Sequence, residues 1–171
     1  MKSTKKILAL ILAGVMALAL LTGCGKAASL NRTVAEGLAE YYKSELAQQG
    51  NTKNISVSYQ VPELSRNIAP LFDETWITKD NSGDDALTEA AKATLTNILS
   101  PYISATSAVI FRATDVTDVK TPFMEGVNLI DSTIDCVTRF DVDSVTSLKI
   151  EVTHKTVNGR TYALAVMIAK T

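Results

Sequence analysis

Asn158-Gly159 lies between two long β-rich runs, about 146–157 and 160–169, and it limits the fold more than any other feature of the chain. A two-residue type I′ turn needs positive φ at both central positions, which asparagine and glycine accept at little cost. Pairing Val157 with Arg160 then sets the register of a hairpin, with Val152 opposite Ala165 and Ile150 opposite Met167. On the other face Lys149, Glu151, Thr153 and Lys155 meet Ile168, Val166, Leu164 and Tyr162. The last strand is apolar on both faces, so it belongs inside a sheet and not at its edge. Ala163, Ala165 and Ala169 make one of those faces shallow enough for a helix to approach closely.

A third β-rich run, about 132–142, precedes these two and predicts a C-terminal meander. Upstream, Leu30, Val34, Leu38, Tyr41, Tyr42 and Leu46 recur at helical spacing, so 31–49 reads as an amphipathic helix with Asn31 as N-cap and Gly50 as its stop. Ile55, Val57, Tyr59 and Val61 alternate with polar residues as in a half-buried strand, while 62–73 shows no clear period. Glu74 to Thr78 is a short strand candidate that carries Trp76. Beyond the turn cluster at 80–85, Leu87, Ala91, Leu95, Ile98 and Leu99 share one face of a second helix. Asp84 or Asp85 would cap it and Pro101 would end it. Ala108 to Ala113 predicts a buried strand, and Thr121-Pro122 can open a short helix through 130.

The N-terminus has a different grammar. Lys2, Lys5 and Lys6 precede an apolar run from Ile7 to Leu21, which ends in Leu21-Thr22-Gly23-Cys24. Charge, a short apolar segment and small residues in that order make a secretory signal. The run is shorter than the roughly 18–20 residues a spanning helix needs. Its last four residues resemble the lipobox of bacterial lipoproteins. The resemblance implies cleavage before Cys24, a diacylglyceryl thioether on its sulfur and residence outside the cytoplasm, on a Gram-positive cell membrane or an outer membrane. Residues 1–23 would then be signal peptide, 24–29 a short tether and 30–171 one globular domain.

Cleavage would remove 23 of the 171 residues and three of the 17 basic ones while keeping all 18 acidic ones, for a mature charge of −4. A mildly acidic surface with scattered lysines argues against nucleic acid as a partner. With Cys24 acylated, Cys136 is the one thiol left, and no intramolecular disulfide can hold the fold. Cys136 lies on the apolar parity of its strand, which reads as a buried thiol.

Chemistry-bearing sets are sparse. His154, the single histidine, falls near the hairpin end without a nucleophile motif around it, which reads as a rim or packing residue. Asp80, Ser82 and Asp84 alternate around Gly83, but an EF-hand would need glycine where Asp85 stands and glutamate where Ala91 stands. Pairs among Asp115, Asp118, Asp135, Asp141 and Asp143 read as solvated carboxylates in turns and strands. No catalytic, metal or cofactor site emerges. Among the aromatics, Trp76 beside the irregular 62–73 segment is the candidate exposed contact residue.

These patterns predict an α+β domain, with two main helices covering one face of a mostly antiparallel sheet. The order of elements is similar to cystatin-like or nuclear-transport-factor-like domains at the level of fold alone, which implies no function. The expected role is non-enzymatic: a membrane-anchored lipoprotein that binds an envelope protein or cell-wall partner near the bilayer. The alternative is a small-ligand module with a pocket between helices and curved sheet.

Overall fold

The type I′ turn forms as expected, with φ of 49° at Asn158 and 78° at Gly159, and the hairpin it closes is the centre of the domain. The computed structural model describes residues 26–59, 63–117, 129–133 and 141–171, with side chains at 31–59, 63–117 and 141–171. Strands β6 (Ser147–Val157) and β7 (Arg160–Lys170) pair antiparallel from Val157↔Arg160 to Ser147↔Lys170, in the register read from the sequence. On its other side β7 pairs antiparallel with β4 (Ser107–Asp115). Strand β7 is therefore interior, and every residue from Tyr162 to Ala169 is buried.

The rest of the sheet departs from a meander. Strand β5 (Leu129–Thr133) pairs with β4, not with β6, and β6 instead meets a short parallel strand β1 (Ser56–Ser58). The order is β1-β6-β7-β4-β5. Residues 129 and 130, expected at the end of a helix, belong to β5. The remainder of that helix and most of the 132–142 run lie outside the described residues. The physical reason for the order is β7 itself: an all-apolar strand has to be flanked on both sides, and β4, with Val109, Phe111 and Ala113 fully buried, is the other strand that can flank it.

Helices cover both faces of this sheet, not one. Helix α1 (Lys26–Gln48) lays Val34, Ala35, Leu38, Ala39 and Leu46 against Ile150, Val152, Ala163, Ala165, Met167 and Ala169. The small residues on both sides allow the close approach anticipated from the alanines of β7. On the opposite face, Leu64 and Ile68 of the one-turn helix α2 (Leu64–Ile68) and Leu95 and Leu99 of helix α3 (Glu89–Leu99) pack on Val109, Phe111, Tyr162, Leu164, Val166 and Ile168. One-sided packing was the wrong expectation because β7 has no polar face: its odd and even residues each need an apolar cover.

Three local readings also change. Helix α1 begins at Lys26, so most of the expected tether is helical, and Asn31 sits inside the helix and does not cap it. The second long helix, α3, is capped by Thr88, whose hydroxyl accepts from the Ala91 amide at 3.3 Å, and not by Asp84 or Asp85. Residues 62–73, aperiodic in sequence, supply α2 and the fully buried Phe72. Between α1 and β6, Gly50 has a φ of 104°, and buried Asn51 donates to the carbonyls of Val142 (2.8 Å) and Val145 (3.0 Å). That clamp joins the exit of α1 to the entrance of β6.

Removing a core side chain from either face should cost the same order of stability. Leu38→Ala on α1 and Leu95→Ala on α3 are each expected to destabilise by about 2–5 kcal/mol in chemical denaturation. A loss under about 0.5 kcal/mol for Leu38→Ala, the range of surface substitutions, would show α1 to be peripheral.

Candidate functional site

At the turn end of the hairpin, Arg160 follows Gly159 directly and points to the face covered by α2 and α3. Its Nε donates to Asp115 Oδ2 at 2.7 Å, and its Nη2 donates to Asp85 Oδ2. Asp85 opens β3 (Asp85–Leu87), which pairs antiparallel with β2 (Ile77–Lys79). The Lys79 ammonium lies 2.7 Å from the second Asp85 oxygen. Asp115 in turn accepts from the Thr117 amide at 2.9 Å and the Thr117 hydroxyl at 2.5 Å. One guanidinium thus ties the hairpin to β3 and to the end of β4.

The charges are strongly coupled. Burial alone would raise the Asp85 carboxyl, which is 1 % exposed, but hydrogen bonds and charge from Arg160 and Lys79 outweigh it and hold the group below its ordinary value. The same balance holds at Asp115, where burial is opposed by Thr117 and Arg160. The Asp85 hydrogen bond in turn raises Arg160 further above its ordinary value, against the effect of burial. Both carboxylates are ionised throughout the neutral range. They serve as acceptors, not as proton donors.

Beside this network lies an open groove of about 320 Å³, lined by Ile77, Val157 and Tyr162 below and by Glu74, Lys79, Asn158 and Arg160 around it. Asn158 donates its side-chain amide to Glu74. Tyr162 is buried to 1 % exposure, packs edge-on against Phe72 at 5.2 Å and leaves its hydroxyl without a hydrogen-bond partner in the structure. Burial raises its phenol above the ordinary value. An apolar floor rimmed by opposed charges could hold a small polar molecule. No nucleophile–base pair occurs among the residues lining it.

The residues singled out in the sequence fall elsewhere. Trp76 is not an exposed contact residue. It is 7 % exposed, stacks edge-on with Phe72 at 5.8 Å and belongs to the core. The cause is the turn before it: the Asp73 carboxylate accepts from the Thr75 amide at 2.8 Å, and the resulting 3₁₀ turn aims the indole at the sheet. Asp80 spends its carboxylate on the amides of Ser82 (2.8 Å) and Asp84 (3.0 Å), closing its own loop. Asp141 likewise accepts from the Asp143 amide at 3.1 Å. Among the described residues no group of three or more metal-ligating side chains converges. Cys24, Cys136, Asp118 and Asp135 lie outside the described residues.

His154 packs under α1, where its Nδ1 meets Oδ1 of Asn31. An amide oxygen can only accept, so Nδ1 carries the proton, and the buried Nε2 has no partner in the structure. Burial lowers the imidazole below its ordinary value. The neutral form belongs to the folded state, and the unfolded chain takes up a proton that the folded one resists. The contribution of His154 is therefore fully present above about pH 6.5 and lost as pH falls toward the lowered value.

Two outcomes follow from these groups. His154→Leu should flatten the pH dependence of stability between about pH 5 and 6.5, read from denaturation midpoints, because no other histidine exists in the chain. An unchanged slope would contradict the buried neutral imidazole. Arg160→Met should cost about 1–3 kcal/mol by leaving Asp85 with Lys79 alone. Adding Asp85→Asn should recover part of the loss, and strict additivity of the two would contradict their coupling. Comparison with family models, with curated proteins and with solved structures returns no match for this chain.

Proposed function

We propose that the chain is a lipid-anchored extracytoplasmic lipoprotein whose domain acts without catalysis, by binding a protein or cell-wall partner close to the membrane. The observation that carries this reading is the Leu21-Thr22-Gly23-Cys24 junction, which stands one residue ahead of the helix that begins at Lys26. Two acyl chains on one sulfur hold a protein on a bilayer durably, each buried methylene contributing about 0.8 kcal/mol. With Gly25 alone between the lipidated residue and α1, the domain would stand directly on the membrane surface.

A second reading, binding of a small polar molecule, is favoured by one observation. The groove beside Arg160 sets Ile77, Val157 and Tyr162 among the charges of Glu74, Lys79 and Arg160. It differs from the pocket expected between helices and sheet, since it opens at the end of the hairpin.

Cys24→Ala is expected to move the protein from the membrane fraction to the soluble extracytoplasmic fraction and to abolish incorporation of labelled fatty acid. Retention in the membrane with unchanged labelling would overturn the lipoprotein reading.

A further inference from the structure

The course of α1 across the sheet says which end of the domain the anchor would occupy. Asn31 touches His154, and Asn51, just beyond the end of α1, holds Val142 and Val145 just ahead of β6. Helix α1 and strand β6 therefore run side by side in opposite directions. From Asn31 back to Lys26 the helix rises about 7–8 Å at 1.5 Å per residue. From His154 to Val157 the strand advances about 10 Å. The start of α1 and the turn at Asn158-Gly159 reach nearly the same height, at the same end of the domain.

Cys24 is two residues from Lys26, a span of about 7 Å at most. A lipid there places the hairpin end next to the headgroups and keeps the opposite end, at Ser107 and Lys170, about 33 Å away along β7.

We infer that the hairpin end, with its groove, is the surface the domain turns to the bilayer. The inference depends on lipidation at Cys24. It makes the groove accessible first to molecules presented at the membrane surface.

The test uses the lipidated full chain in phosphatidylcholine vesicles whose headgroups carry a nitroxide quencher. A fluorophore is placed at Thr156→Cys or Thr106→Cys in a Cys136→Ser background; both label positions are exposed, at opposite ends of the sheet. Quenching at Thr156 and its loss at Thr106 is the expected result. Equal quenching at both positions, or stronger quenching at Thr106, would overturn the orientation. Vesicle flotation reads the anchor separately: a chain that floats in the wrong orientation defeats this inference alone, and one that does not float defeats the lipoprotein reading. Hydrogen exchange on the unsubstituted chain repeats the test without any variant, with slowed exchange expected at 156–161 on vesicles relative to detergent and none at 104–107.

Discussion

The burial of β7 on both faces is the constraint from which the architecture follows. A strand reading Tyr162-Ala163-Leu164-Ala165-Val166-Met167-Ile168-Ala169 has no side to offer water. It requires strands on both edges and helices above and below. The two covers differ because the two faces of β7 differ. The small residues of one face admit α1 from Val34 to Leu46, with Ala35 and Ala39 at the contact. The large residues of the other are met by shorter pieces, α2, α3 and the Phe72–Trp76 pair, which fill an uneven surface.

Polar groups inside this frame act as joints between elements that are distant in sequence. Asn51 ties the end of α1 to the start of β6, and Arg160 joins the hairpin to β3 and β4. Ser65 and Glu151 fasten α2 to β6, the Ser65 amide donating to the Glu151 carboxylate at 2.8 Å. Each such group is buried or half-buried with its partner supplied, and a supplied partner is the condition under which a polar group stabilises instead of costing. Arg160 is engaged by two carboxylates and covers the ring of Tyr162 at 5.2 Å, so its role in the groove is to orient the wall.

Much of the fold was legible where the signal is local. The Asn158-Gly159 turn set the β6–β7 register over eleven pairs, and the helical spacing from Val34 to Leu46 located α1. Sequence pattern said less about which strand pairs with which. The parallel contact of β1 with β6 spans about ninety residues, and neither alternation nor turn chemistry encodes it. Segment 62–73 escaped because a single helical turn has too few residues to show a period. Trp76 was misread for the same reason: its burial depends on a turn made by Asp73. The groove was invisible in sequence because Lys79, Asp85, Asp115 and Arg160 come from four elements, and each one alone looks like an ordinary surface charge.

The order of strands along the chain has a kinetic consequence. The strand shared by both cores follows every other strand in order of synthesis, so α1, β1, α2, α3 and β4 emerge without the surface they are built to cover. Contacts of such long sequence separation make for slow closure. Until residues 160–170 are available, neither layer has its template, and the nascent polypeptide stays pliable. On the proposed lipoprotein reading, that delay leaves no prematurely compacted half to jam a narrow export channel.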